Sequence, residues 1–317
     1  MSAVSEGIER ARRGVGAGGS GRTTPRRRRR PTGGGLTLLL FALPSLILLL
    51  LINLYPLVYA AMQSVRSGNL INLGPFVGLA NYRNVLTDPD FWHSALFTLI
   101  FTVTGVFGSW AVGLALAMLL RGKVPAGGVF KVLLLLPWVV PVVVSATSWN
   151  WLVATPQSPL PEFFSLLGFD NVLFLSDPTL AKIVVCVFKV WISFPFMMMM
   201  MSSALTAVDV NVYEAAKVDG ATGWQSFRSI TMPLISRSTY ISWILMTIFC
   251  VNDFPTIYLL TGGGPTNATT SLVVLAYRTV FQDFQTGPGV AIAFLMTAVL
   301  VIVSVVLYRQ IAKVNIE

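Results

Sequence analysis

Six runs of apolar residues, 36–62, 95–120, 132–154, 183–206, 238–261 and 289–308, are each long enough to cross the roughly 30 Å hydrocarbon core of a bilayer as a helix. Nothing else in the chain constrains its fold as strongly. Of the 317 residues 55% are hydrophobic and 11% charged, and mean hydropathy is +0.73, so there is too little polar surface for a water-soluble domain. The fold class expected is an all-α membrane protein of six transmembrane helices. The first run is about twice as long as a signal-peptide core and shows no small-residue cleavage site, so it counts as a span.

Basic residues then orient the spans. Nine of the 22 Lys and Arg residues precede Gly35: Arg10, Arg12, Arg13, Arg22 and the run 26–30. Arg121, Lys123 and Lys131 follow span two, Lys217, Arg228 and Arg237 follow span four, and Arg309 and Lys313 follow span six. The alternate loops hold Arg66 and Arg83, then Lys182, then Arg278. The positive-inside rule therefore places both termini in the cytoplasm. Residues 1–35 read as a disordered basic tail, with no aromatic residues to stack nucleic-acid bases and an Arg run suited to anionic lipid. Residues 36–317 read as one transmembrane domain.

The chain offers little chemistry of its own. Cys186 and Cys250 sit inside apolar runs, and His93 is the single histidine. No metal-ligand or acid-base cluster can be assembled from these, so catalytic and metal residues are expected to be none. A phosphate-binding loop is absent as well, because Gly122-Lys123 is followed by Val124 and Ala117 stands where its first glycine belongs. Energy must come from a partner or from a gradient.

The polar interruption at about 207–237, between spans four and five, has helix-favouring residues around Glu214-Ala215-Ala216, a break at Gly220, and a second helical pattern near Trp224 to Ile230. Helices this short need a surface to pack on. By polarity alone the stretch reads equally as a connection and as a docking element.

Its residues resemble a known pattern. Glu214-Ala215-Ala216, Asp219-Gly220-Ala221, Phe227, Ile230 and Pro233 look like the EAA loop of binding-protein-dependent ABC importer permeases, with Met232-Pro233 in place of the usual Leu-Pro. Segment 78–102, the LPWVVP of 136–141 and the YLLTGGGPTNATT of 258–270 are similar to further signatures of the carbohydrate branch. The resemblance is to the maltose-permease type, and within it to the permease of trehalose-recycling importers. It implies the type I ABC importer permease fold, with Glu214, Ala215, Ala216, Asp219 and Gly220 coupling the pore to a cytoplasmic ATPase. It also implies a second similar permease subunit, two ATPase subunits that bind ATP and Mg, an external sugar-binding protein, and a place in the bacterial inner membrane.

Two charges lie inside spans, Lys189 and Asp253, both about 10–12 Å below the outer surface when counted at 1.5 Å per residue. They are close enough in depth to meet, either as a structural ion pair or as part of a solute path. Lys189, Ser193 and Phe196 share one helix face, and Met246, Phe249 and Asp253 another. Rings mixed with hydrogen-bonding groups suit a sugar. Pro195 and Pro255 are expected to kink their spans near that level. The resemblance adds Asn252-Asp253-Phe254 as a sugar-contacting stretch, with Asp253 where asparagine is more familiar. The expected path residues are thus Lys189, Ser193, Phe196, Phe249, Asn252 and Asp253.

The methionines of 197–201 circle their helix and suit soft packing, while Trp149, Asn150 and Trp151 suit an interface anchor or an outer gate. The function expected is the permease subunit of an ATP-driven importer taking up a disaccharide, trehalose in particular. The alternative is a gradient-driven secondary transporter without an ATPase.

Overall fold

The computed structural model describes residues 34–122, 125–169 and 172–314, and these are almost entirely helical. In chain order the helices are α1 (Gly34–Ser64), α2 (Ala80–Thr87), α3 (Pro89–Leu119), α4 (Gly127–Val139), α5 (Val142–Val153), α6 (Pro159–Leu166), α7 (Pro178–Thr206), α8 (Val210–Val218), α9 (Gly223–Val251), α10 (Phe254–Thr261), α11 (Leu272–Phe281) and α12 (Thr286–Val314). Among the described residues the sole extended pairing is an isolated bridge between Arg66 and Phe76. Of the expected basic tail, residues 1–33 lie outside the described residues, as does Lys123.

The chain divides into two compact units, Met1–Pro56 and Leu57–Glu317. In the first, α1 presents exposed side chains at every position from Leu39 to its end at Pro56. An apolar helix exposed all round is a helix made for lipid or for another protein.

The second unit is a bundle. Five helices of the chain, α1, α3, α7, α9 and α12, are long and apolar enough to span a membrane, and α4 with α5 makes a sixth if that bent pair counts as one. The expected third span is therefore not straight: α4 and α5 meet at 91°. Pro141 has no N–H to offer the helix and forces Val140 into an extended conformation (φ −67°, ψ 133°), which ends α4 there.

Two spans begin earlier than hydropathy places them, at Pro89 and Pro178. Each opens on an Asp-Pro pair. Asp88 accepts a hydrogen bond from Asp90 N at 2.9 Å, and Asp177 accepts from Thr179 N and Leu180 N, both at 2.8 Å. The carboxylate satisfies orphan amides of the first turn and proline is preset for the position after it. Span five shifts in the same direction, running over Gly223–Val251 instead of 238–261 and stopping at Asn252 and Asp253, with α10 as a separate helix beyond. Pro195 does not break α7, whereas Pro255 lies in the first turn of α10 just past a true break.

The core lies between α3, α7 and α9. Phe101, Val185, Phe188, Met197, Met246 and Ile257 are fully covered within one cluster, and Leu114, Met201, Leu205 and Ile235 form a second toward the end where α3 and α7 finish. Three of the five clustered methionines, Met197, Met198 and Met201, are buried, in keeping with packing. Backbones approach closely where α3 carries glycine. A Cβ on Gly113 would stand 2.6 Å from Met198 N and 2.7 Å from Met197 Cβ.

Gly113→Val is expected to lower the thermal midpoint of the protein in detergent, since overpacking of a filled contact costs about 1–3 kcal/mol. Gly128→Ala on α4, where an added Cβ has nothing within 4 Å, is the control and leaves the midpoint unchanged or raised.

Candidate functional site

The expected depth match of Lys189 and Asp253 is met by a direct contact: Lys189 Nζ lies 2.6 Å from Asp253 Oδ2, with both side chains buried. It is the sole ion pair among the described residues outside the masked positions. Each partner is held from a different direction. Asp253 sits at the α9–α10 break and its second oxygen accepts from Thr256 N at 3.1 Å, so one carboxylate both caps α10 and neutralises the lysine. Lys189 Nζ also lies 5.8 Å from the centre of the Phe101 ring, within cation–π range.

Room for the lysine stem comes from α3. That helix carries a π-turn at Thr104–Gly108, and a Cβ on Gly105 would stand 2.8 Å from Cys250 Sγ and 3.1 Å from Lys189 Cγ. A π-turn inserts one residue into a helix and is often found at a functional position. Here it brings a glycine against the ion pair.

One turn beyond Lys189 on α7, Ser193 is 1% exposed, and its Oγ has no hydrogen-bond partner among the described residues. Another turn on, Phe196 stacks on Trp138 with centroids 5.3 Å apart and an interplanar angle of 25°, and meets Phe249 edge-on at 5.8 Å. Phe249 and Trp138 remain 44% and 40% exposed, and Asn252, just past the end of α9, is exposed with its carboxamide nitrogen donating to Ile248 O at 2.9 Å. The six expected path residues therefore separate into layers. Lys189, Ser193 and Asp253 are covered, Phe196 is half-buried, and Phe249 and Asn252 are open.

Trp138 is the residue that hydropathy reading misses. It lies in the last turn of α4, two residues before the extended Val140, and its ring completes the wall with Phe196 and Phe249. Trp149, expected as an interface anchor or part of an outer gate, packs on Phe188 and Trp191, with centroids 5.3 and 5.5 Å away, while Asn150 donates to Leu260 O at 3.0 Å and Trp151 stays exposed.

The loop after α10 is pinned by another missed residue. Arg278 on α11 donates to Asn267 Oδ1 at 2.7 Å, to Thr270 Oγ1 at 3.3 Å and to Gly262 O. Gly263, at φ +90°, leaves space that a Cβ would fill, 2.7 Å from Thr270 Oγ1. Thr269 in the same loop is buried and donates to Gly264 O at 2.6 Å.

The polar interruption forms the helix, turn and helix expected of it. Asp209 caps α8 by accepting from Asn211 N at 2.9 Å, and a capping box of Thr222 and Gln225 starts α9. Gly220, at φ +79°, supplies the left-handed turn between them. Ala216 is buried, whereas Glu214, Ala215, Asp219 and Gly220 are exposed, as are Val210, Val212 and Val218. Among the described residues no group of three or more His, Cys, Asp or Glu is arranged to hold a metal ion.

A bundle of apolar helices with a broken span, an aromatic wall at the break and an exposed helix hairpin between two spans defines the membrane component of a solute transporter. The chain belongs to the family described as binding-protein-dependent transport system inner membrane component, which matches residues 14–314. It is 33% identical over 273 residues to the trehalose/maltose transport system permease protein MalF of Thermococcus litoralis, covering 86% of this chain and 92% of that one. It is 30% identical over 269 residues to the trehalose transport system permease protein SugA of Mycobacterium tuberculosis, covering 84% and 85%. Among solved structures, a bacterial ABC transporter involved in the import of the acidic polysaccharide alginate contains a chain of the same fold, with TM-score 0.75 at 20% identity and coverage of 88% and 96%. The chain is thus an ABC importer permease component and not an enzyme.

Lys189→Met leaves Asp253 buried without its partner and is expected to cost about 3–5 kcal/mol. Adding Asp253→Asn removes the orphaned charge while an amide oxygen still caps α10, so the double variant recovers most of the loss. Thermal unfolding of the purified protein in detergent measures both, and a single variant as stable as the parent contradicts the pairing.

Proposed function

We propose that this chain is one of two similar permease subunits of an ATP-driven importer for an uncharged disaccharide, trehalose in particular. The observation that carries the reading is the exposed α8, Gly220 turn and start of α9, in a chain of this family. A charged, well-capped helix left uncovered beside the spans is a docking surface, and the family resemblance of its residues makes the partner an ATPase. Two ATPase subunits bind ATP and Mg, and an external binding protein delivers the sugar. Membership of a binding-protein-dependent family favours this over the gradient-driven alternative.

In this reading the basic loops and both termini face the cytoplasm, residues 1–35 form a cytoplasmic tail against anionic lipid, and residues 36–317 form the permease domain with its coupling loop at about 207–237. No nucleic acid is involved. Glu214 pairs with a basic ATPase residue, Ala215 and Asp219 complete the contact, Ala216 anchors α8 inward, and Gly220 sets the angle.

The sugar passes along the wall of Trp138, Phe196 and Phe249. Rings cover its C–H faces while Asn252 meets its hydroxyls. Ser193 and the Lys189–Asp253 pair stand directly behind that wall, and because the pair is neutral as a unit the path carries no net charge to repel or trap an uncharged solute. The trehalose assignment is supported by both relatives, whose names include that sugar.

Co-expression with the other importer components, followed by sugar-stimulated ATPase assays across a panel of disaccharides, tests the reading. Trehalose is expected to stimulate most. Stimulation by a different disaccharide confines the claim to sugar import, and failure of any ATPase to co-purify removes it. Gly220→Val is expected to insert normally but to reduce uptake at least about tenfold, because a β-branched residue resists the left-handed turn by more than roughly 1–2 kcal/mol. Unchanged uptake contradicts the role given to the turn.

A further inference from the structure

Of the nine residues of α8, seven are exposed, and the two that are not are Tyr213 and Ala216. Ala216 has a single methyl to offer, so the directed contacts of this helix belong to Tyr213. The Arg121 guanidinium lies over the Tyr213 ring, 4.4 Å from its centre, and Arg121 stands two residues past the end of α3, just after its C-cap Leu120. The Tyr213 hydroxyl is 3.2 Å from Thr231 Oγ1. Thr231 Oγ1 also lies 3.3 Å from Ser226 O, so its hydroxyl sits between the Tyr213 hydroxyl and that carbonyl.

Thr231 closes the π-turn Phe227–Thr231 at the base of α9, where Met232 N donates to Phe227 O five residues back, and the Thr231 side chain reaches back to Ser226 O at the start of the same turn. It is 4% exposed. Beside Tyr213 the interface is not filled: a cavity of about 170 Å³ opens there, lined by Met118, Arg121, Leu205, Phe227 and Thr231 among others. A helix held over a cavity by two directed contacts can move as a lever, because a close-packed interface would resist displacement through every contact at once.

We propose that Tyr213 is the positioning residue through which a displacement of α8 reaches the membrane, its ring linking α8 to α3 through Arg121 and its hydroxyl linking α8 to the π-turn of α9 through Thr231. This rests on the reading of α8 as the ATPase-docking helix. Tyr213 does not itself face the partner. Its neighbour Glu214 does, so docking and transmission are divided between consecutive residues. An α-helix turns 100° per residue, which points the two side chains in different directions.

The complete importer, reconstituted in liposomes with its ATPase and sugar-binding protein, separates the steps. ATPase co-purification reads docking, and sugar transported per ATP hydrolysed reads transmission. Tyr213→Leu is expected to retain the ATPase and its basal hydrolysis while transport per ATP falls about tenfold. Tyr213→Phe keeps the ring contact alone and Arg121→Gln keeps the hydroxyl contact alone, so each falls about two- to threefold, and Arg121→Lys, which preserves a cation over the ring, recovers most of the Arg121→Gln loss. Wild-type coupling in Tyr213→Leu overturns the proposal, as does loss of ATPase binding in that variant, which makes Tyr213 a docking residue. Arg121→Gln lies outside α8 and leaves its ATPase face untouched. Wild-type coupling there overturns the proposal even if Tyr213→Leu does not assemble. Glu214→Ala distinguishes the two levels: if it uncouples while the Tyr213 and Arg121 variants do not, the relay alone falls, and if it changes neither docking nor coupling, the reading of α8 falls with it.

Discussion

The contact on which the membrane part of this fold depends is the ion pair between Lys189 and Asp253. Either charge alone in an apolar bundle carries a desolvation penalty of several kcal/mol, and their attraction offsets it only when the geometry is close and the remaining polar atoms are satisfied. Here the distance is 2.6 Å and the other carboxylate oxygen caps α10. The same aspartate thus permits the helix to stop at Asn252 and restart at Phe254 without leaving the new first turn uncapped. A span can break in the middle of a membrane only where its freed backbone groups find partners, and the pair is what makes this break affordable at that depth.

The consequences spread outward from the break. Phe249, in the last turn of α9, meets Trp138 and Phe196, and Asn252 is left exposed where the helix stops. Trp138, in the last turn of α4 before the bend at Pro141, meets the same rings from another helix. Two interruptions of regular helix, made by different chemistry, therefore build one aromatic wall. A third irregularity, the π-turn in α3, places Gly105 against the lysine stem so that the charged group can be enclosed. Regular helices supply the frame, and the departures from regularity supply the site.

Much of this was legible in the residues, and the failures have physical causes. Apolar run length located the five long apolar helices and the bent α4–α5 pair, and counting 1.5 Å per residue brought Lys189 and Asp253 to one level. Hydropathy averages over composition, however, and is blind to capping, so the Asp88-Pro89 and Asp177-Pro178 starts, which lie in polar sequence, were missed. A proline's effect depends on what precedes and follows it: Pro141 breaks its span with Val140 extended, whereas Pro195 is absorbed within α7. The π-turns leave no periodic mark, since one inserted residue shifts the helical phase without changing composition. Trp138 and Arg278 carried no contact role, because the ring partners of Trp138 lie on α7 and α9 and the partners of Arg278 lie in the folded loop before α11. The helix hairpin around Gly220, by contrast, was read correctly because caps, turn and apolar contacts are all local.

The two ends of the bundle are built to different standards, and the difference carries a functional argument. At the end bearing the loop after α10, Arg278 makes three hydrogen bonds to backbone and side chains of that loop, a rigid arrangement with little freedom left in it. At the end bearing α8, the helix is exposed on most of its surface and reaches the spans through a ring contact and one hydroxyl beside a cavity. Local stability follows the density of such contacts, so the α8 end has the lower resistance to displacement. In the reading proposed above, in which α8 receives the ATPase, that asymmetry suits a transporter driven from one side. Force applied at a stiff end would be spread through the whole bundle, whereas force applied at a compliant end held by few directed contacts is delivered to the particular helices those contacts reach. In this chain they reach α3 and α9, and these are the helices that enclose the ion pair.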